Sequence, residues 1–262
     1  MNPRDFSIIS FPFLGLEMDL PRGIPFDAPR IYFYGIIIAV GLILAVVYGS
    51  RRSRQFGLNE DTVLDGVLWV TPFAILCARL YYCAFSWDIY RDNPISLLYI
   101  WEGGLAIYGG VIGAAIGIIV YTRIKKLNLG ALLDLVSLGF LIGQSIGRWG
   151  NFFNEEAHGG PTDLPWAQII DGVGYHPTFL YESLWCLMLC IFLLWFDNHH
   201  RKFDGQIICL YAMLYSVERF FVEALRTDSL MIGPFKQAQV LSLTLIIICT
   251  VVDGVLARHS RK

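Results

Sequence analysis

Stretches of about 20 mostly apolar residues recur seven times along the chain, near 31–50, 63–85, 104–122, 130–148, 179–197, 205–225 and 236–256. A helix needs about 20 residues to cross the hydrocarbon core of a bilayer. The pattern therefore predicts an all-α integral membrane protein with about seven transmembrane helices. Two connections are longer than the rest, near 86–103 and 149–178. The first carries Trp87, Asp88, Tyr90, Arg91 and Asp92, an interfacial mixture. The second is marked by the turn residues Gly159-Gly160-Pro161, Pro165 and Gly172 through Pro177. The first 30 residues hold Asp5, Glu17, Asp19 and several prolines, without the basic start and apolar middle of a cleavable signal. They read as an external segment that touches the interface through Phe6, Phe11 and Phe13. No linker, low-complexity tract or internal repeat divides the chain, so residues 1–262 read as a single integral membrane domain.

Charge gives this pattern a direction. The formal net charge of −2 conceals four basic clusters: Arg51, Arg52 and Arg54 after the first span; Arg123, Lys125 and Lys126 after the third; Arg201 and Lys202 after the fifth; Arg258, Arg261 and Lys262 at the end. In a seven-span chain all four fall on one side, which the positive-inside rule makes cytoplasmic. The N-terminus and the segment after Arg148 are then outside, in the periplasm, and the C-terminus is cytoplasmic. The six cysteines all lie within predicted spans, and the pair Cys186/Cys190 has no His or carboxylate neighbours to complete a metal site. They read as apolar filler. Metal, nucleotide and nucleic-acid signals are absent from the sequence.

With 55% of residues hydrophobic and 16% charged, and a mean hydropathy of +0.54, ionisable groups within the spans stand out, because a charge at membrane depth is costly unless paired. Gly147-Arg148-Trp149-Gly150-Asn151-Phe152-Phe153-Asn154-Glu155-Glu156 gathers a cation, two amides and two carboxylates at the end of the fourth apolar run. In the sixth run Tyr215, Arg219, Glu223 and Arg226 fall within a helical face roughly 80° wide. Arg219 and Glu223 could simply neutralise each other, which leaves Arg226 and Glu218 to be explained. The third run opens with Gly103-Gly104 and continues through Tyr108, Gly109, Gly110 and Gly113, a close-packing face interrupted by one phenol. The fifth begins His176-Pro177-Thr178-Phe179-Leu180-Tyr181-Glu182, which is equally a helix start and a candidate site. Arg79 and Asp134 are read as a structural pair within the bundle. Two guanidiniums, Arg148 and Arg219, disposed toward the outer leaflet can hold a phosphate by forked hydrogen bonds, which points to a phospholipid substrate.

Two other readings compete. Gly143-Gln144-Ser145-Ile146-Gly147 matches the G-x-S-x-G nucleophile pattern, but that motif requires a strand-to-helix elbow, and here it lies within a helical span, where Gly143 and Gly147 suit packing. A phospholipid transporter or flippase would also use intramembrane charges, yet the paired repeats and broken helices of such proteins are missing.

The decapeptide GRWGNFFNEE resembles the G-R-x-G-N-F-x-N-x-E signature of prolipoprotein diacylglyceryl transferases. HPTFLYE, YSVERFFVEALR and the glycine-rich start of the third span resemble the same family's motifs, in the same order and over essentially the whole chain. The resemblance implies transfer of the diacylglyceryl moiety of phosphatidylglycerol to the lipobox cysteine thiol of a bacterial prolipoprotein, with release of glycerol phosphate and without a cofactor. It implies a multi-pass protein of the bacterial inner membrane, its active site toward the outer leaflet, whose partners are phosphatidylglycerol, prolipoprotein signal peptides and the bilayer, and for which a monomer suffices. The family's essential arginines fall on Arg148 and Arg219, its amide and acid on Asn151 and Glu156, its span-six tyrosine and glutamate on Tyr215 and Glu223, and its first-span tyrosine on Tyr34. Asn154 and Arg226 join the expected substrate-binding set. Glu156 and Glu223 are expected to orient the arginines. Many members carry a histidine, cast as general base, where this chain has Tyr108. The base is then His176 or Tyr108, or none is needed. Glu155 and Glu218 have no assigned counterpart.

Overall fold

The computed structural model describes residues 6–11, 15–21, 23–24, 31–91, 93–100, 103–227 and 229–259. Asp5, Phe13, Asp92, Arg261 and Lys262, named above, lie outside them, as do the side chains of Phe6 and Phe11. Each apolar run folds as a helix, the form in which a segment surrounded by lipid satisfies its own backbone hydrogen bonds. In chain order, strands β1 (Phe6–Phe11), β2 (Leu16–Pro21), β3 (Gly23–Ile24) and β4 (Ile31–Tyr32) precede helices α1 (Phe33–Arg52) and α2 (Thr62–Phe85). The short α3 (Trp87–Tyr90) comes next, before α4 (Ile107–Lys125) and α5 (Leu129–Asn154). Strands β5 (Gln168–Ile170) and β6 (Val173–Tyr175) lead to α6 (Thr178–His199) and α7 (Gln206–Leu225). The hairpin β7 (Met231–Ile232) and β8 (Phe235–Lys236) then leads to α8 (Gln237–His259).

Among the described residues six helices are long and apolar enough to span a membrane: α1 with its 3₁₀ extension to Phe56, α2, α4, α5, α6 and α8. The protein is an integral membrane protein. The sixth expected span, α7, forms as a helix of 20 residues but is not among those six. Its buried Glu218 and Glu223 and the intervening Arg219 place three charged residues within six positions.

Two departures from the sequence reading matter for the site. The N-terminal segment and the 149–178 connection are not simply irregular: β1 pairs antiparallel with β2, and through Ile9 and Ser10 with Ile170 and Ile169 of β5, giving a four-stranded sheet in the order β2-β1-β5-β6. In addition, α5 runs on to Asn154, past the expected end at Arg148. Phe152, which is buried, packs its ring 5.1 Å from that of Phe179, and Glu155 then turns the chain with a positive φ of 54°. Arg148 therefore sits on a continuous helix.

The helices divide between two compact units, one comprising Met1–Tyr48 with Leu133–Lys262, the other Gly49–Leu132. In the second unit α2 and α4 approach through glycine. A Cβ on Gly109 would lie 2.4 Å from the Cβ of Tyr81 and 2.6 Å from the carbonyl oxygen of Cys77, and one on Gly113 would lie 2.5 Å from the Cβ of Cys77. Arg79, buried in this unit, donates to the carbonyls of Ser96 (2.7 Å), Leu97 (2.9 Å) and Gly103 (2.7 Å) and lies over the Tyr90 ring. It thereby pins the 96–104 connection, a different task from the pairing with Asp134 that the sequence suggested.

In the first unit Asp134 meets other needs. It accepts hydrogen bonds from the backbone N–H groups of Gly205 (2.8 Å) and Ile208 (2.9 Å) at the start of α7, and pairs with Arg201 at 3.3 Å. A helix start buried among other helices must have its free N–H groups satisfied, and this carboxylate does so. The hydroxyl of Ser145 donates to the Ser183 carbonyl (3.0 Å) and that of Ser183 to the Ser145 carbonyl (2.7 Å), clamping α5 to α6. Ser145 is a packing residue on a helix, and Gly143 and Gly147 face Gly41 and Ile38 of α1.

Gly109→Ala should destabilise the protein by about 1–3 kcal/mol through overpacking. Gly110→Ala, whose Cβ would meet only the Cβ of Ala78 at 3.7 Å, should be neutral. Unfolding of the two variants in detergent checks the contrast.

Candidate active site

Helices α5, α6 and α7 together build a largely buried charge cluster. The carboxylate of Glu182, on the first turns of α6, is fully buried, at 0% exposure. Its Oε2 lies 3.0 Å from Nη1 of Arg148 and its Oε1 accepts from Nη1 of Arg219, also at 3.0 Å. Arg219 pairs in addition with Glu223, one turn further along α7, at 2.7 Å. Arg148 donates from Nη2 to the hydroxyl of Tyr215 at 3.1 Å. The two arginines retain only 21% and 22% exposure at their side chains, so solvent screens these pairs weakly. A guanidinium offers five N–H donors in a fixed plane. Among the described residues Arg148 donates one hydrogen bond, to Tyr215, and makes one ion pair, with Glu182, which leaves donors able to bind an anion.

Arg148 also lines a cavity of about 340 Å³ between α1 and α5. Ile38, Leu42 and Phe140 give it apolar walls, and Gly143 and Gly147 widen it by lacking side chains. Tyr34, Gln144, Arg148 and Asn151 supply its polar groups. The Tyr34 ring lies against Gly150, where a Cβ would come within 2.7 Å of it. A slot that is apolar along its length and polar at one place has the chemistry of a lipid: an acyl chain along the walls, a headgroup beside the guanidinium.

The residues expected from sequence fall into three groups. Arg148, Arg219, Tyr215 and Glu223 are joined in the cluster, and Tyr34 and Asn151 reach it through the cavity that Arg148 lines. Asn154 and Glu156 stand beside it: the side-chain amides of Asn151 and Asn154 both donate to Oε1 of Glu156 at 3.3 Å, so Glu156 closes the end of α5. The carboxylate that holds both arginines is Glu182, which lies in HPTFLYE and has no assigned task in the sequence. Glu156, the partner expected beside Glu223, accepts from Asn151 and Asn154; the available signal was that another acid, Glu182, opens the neighbouring span.

The third group comprises Arg226, His176 and Tyr108. Arg226 ends α7, bridged antiparallel to Gly159, and Lys236 draws α8's hairpin onto the same end by donating to the carbonyls of Glu223 and Arg226, both at 2.7 Å. His176 is held by its backbone between Gly159 (2.9 Å) and Gly160 (3.1 Å), while its ring Nδ1 is buried without a hydrogen-bond partner among the described residues. Tyr108 belongs to the other unit, in the first turn of α4, and is 41% exposed. The cysteines are free, with Cys186 and Cys190 buried.

Comparison with known proteins bears on this arrangement. A sequence model of the family described as prolipoprotein diacylglyceryl transferase matches residues 24–253. Proteins named phosphatidylglycerol–prolipoprotein diacylglyceryl transferase are 47% identical over 213 residues in Clostridioides difficile (strain 630), covering 81% of this chain and 86% of the relative. One from Clostridium novyi (strain NT) is 45% identical over 258 residues, covering 95% and 93%. A third, from Bacillus cytotoxicus, is 46% identical over 230 residues, covering 83% and 85%. The chain belongs to the prolipoprotein diacylglyceryl transferase family.

Proposed function

We propose that this chain carries out the reaction for which its relatives are named, moving the diacylglyceryl group of phosphatidylglycerol onto a prolipoprotein, with the lipobox cysteine thiol as acceptor. The observation that carries this reading is the pair of partly buried arginines on one buried carboxylate, beside a lipid-shaped cavity. The nucleophile is the substrate's own thiol, so the enzyme needs none. A thiol with an ordinary pKa near 8.5 is a few per cent ionised at neutral pH and is then strongly nucleophilic. Its sulfur attacks the glycerol carbon that bears the phosphate, the C–O bond breaks, and the electron pair leaves with glycerol phosphate.

Negative charge grows on the departing phosphate oxygen, and the N–H donors of Arg148 that remain free are preorganised beside it. Asn151 adds a hydrogen bond and Tyr34 packs the glycerol. Arg219 acts mainly through Glu182, fixing the plane of Arg148 and supplying positive field. One preorganised donor is typically worth about 3 kcal/mol of transition-state stabilisation.

The topology that suits this reaction has α7 as a seventh crossing. Seven spans put the basic groups after α1, α4, α6 and α8 on one side, which the positive-inside rule makes cytoplasmic. The segment after α5, with Asn151 and Glu156, then faces the periplasm at the outer leaflet of the inner membrane, where an exported prolipoprotein presents its cysteine. A single copy of the chain, acting as one membrane domain, holds every residue assigned here.

Arg148→Ala and Arg219→Ala should each lower transfer to a lipobox peptide at least about 10²-fold while the protein still inserts. Near-normal turnover in either variant contradicts the assignment. For the thiol proton, imidazole is the better suited group near neutral pH and a phenol a poor one. His176→Gln should therefore lower kcat by about 10²-fold or more, with Tyr108→Phe within a few-fold of the parent. The opposite pattern assigns the proton to Tyr108.

A further inference from the structure

Glu218 has no task in that transfer, although it lies beside the cluster. It is 6% exposed, and neither of its carboxyl oxygens has a hydrogen-bond partner among the described residues. The charged and titratable groups that act on it are Arg148 from α5, Glu182 and Cys186 from α6, and Tyr215 and Arg219 from its own helix. Helix α8 also packs on α7, but its titratable side chains Cys249 and Asp253 act on Cys209.

Charge balance gives this residue a meaning. The cluster holds two cations, Arg148 and Arg219, and three carboxylates, Glu182, Glu223 and Glu218. Glu182 and Glu223 are matched to the arginines by ion pairs at 2.7–3.0 Å. With Glu218 ionised as well, the cluster would carry a net negative charge before any lipid arrived, and a phosphodiester would add another. Buried like charges of this kind are resolved by proton binding at whichever group has least to hold it ionised. Glu182 and Glu223 are fixed by guanidiniums, whereas Glu218 is not.

We propose that Glu218 is a positioning residue that takes up one proton as the anionic phosphate of a lipid headgroup binds beside Arg148, so that the arginine pair meets the phosphate without a surplus carboxylate. The proton comes from water, resides on the Glu218 carboxyl while the headgroup is bound, and returns when glycerol phosphate departs. This rests on the transferase reading for the identity of the anion. It also gives a role to a carboxylate that the transfer step leaves without one.

The test uses the purified full-length protein in weakly buffered detergent between about pH 6 and 9. Short-chain phosphatidylglycerol is added, proton uptake is followed with a pH indicator, and binding is measured with a fluorescent phosphatidylglycerol. The wild type should take up close to one proton per lipid bound at the pH of greatest uptake, with affinity weakening toward tenfold per pH unit as pH rises through the range where the empty protein's Glu218 is ionised. Glu218→Gln should bind the lipid with no uptake and a flat pH dependence. Glu218→Asp should keep the slope, so the proposal stays testable if the Gln variant folds poorly. Lipid binding by the wild type without proton uptake, or equal uptake by the Gln variant, overturns the coupling and leaves the transferase reading intact. Uptake with free glycerol phosphate and none with the lipid overturns the headgroup assignment. Failure of the wild type to bind phosphatidylglycerol at all overturns both.

Discussion

Glu182 offers two carboxylate oxygens to two guanidiniums that come from different helices, and it is itself fully buried. Each oxygen lies 3.0 Å from its arginine. In that setting neither arginine can be understood alone, because breaking a buried pair by removing one partner leaves an uncompensated charge and is worth about 3–5 kcal/mol. The constraint sets the relative positions of α5, α6 and α7. The reciprocal serine bonds between Ser145 and Ser183 act just below it, and Asp134 ties the opposite end of α5 to the start of α7. Asp134 and Arg148 are 14 residues apart, about 21 Å along the helix. The bundle is thus fixed by a buried carboxylate near each end, with the fully buried Leu135, Leu138 and Leu141 filling the length between.

Catalysis draws on the same constraint. A guanidinium free to rotate in a lipid-facing cleft would have to be ordered by each substrate in turn, whereas one held by Glu182 and Tyr215 presents its remaining donors in a fixed plane. In the proposed mechanism the cavity along α1 brings the lipid to that plane: its walls are mostly apolar, its glycines leave room, and Arg148 with Gln144 and Asn151 makes its polar part. On that reading the arrangement binds where charge develops and leaves the nucleophile to the substrate, while Arg219, one ion pair further in, contributes field and orientation.

The bundle was largely legible in the sequence because its determinants are local. Apolar runs of membrane-spanning length located all seven long helices within a few residues, and the polar stripe Tyr215-Arg219-Glu223 identified the face of α7 that turns inward. What escaped depends on contacts far apart in the chain. The end of α5 lies beyond its apolar run because Phe152 finds Phe179 and because Asn151 and Asn154 find Glu156. The pairing of β1 with β5 joins segments about 160 residues apart, each too short and too mixed to signal a strand. Glu182 was hidden for the same reason: within its own helix it is one acid among apolar residues, and its meaning appears only when α5 and α7 place an arginine on either side. Arg79 shows the reverse case, a buried cation that needs no acid because backbone carbonyls satisfy it.

The central claim is that Arg148 and Arg219 act as one unit through Glu182. A double-mutant cycle on phosphatidylglycerol binding, using Arg148→Lys, Arg219→Lys and the pair together, measures this directly. Lysine keeps each charge and removes the planar fork, so the cycle reports geometry held in common. The account predicts that the second substitution has much less effect once the first is present, with a coupling of at least about 1 kcal/mol, within the range for residues in one ionic network. Losses that simply add, with no coupling, would contradict it.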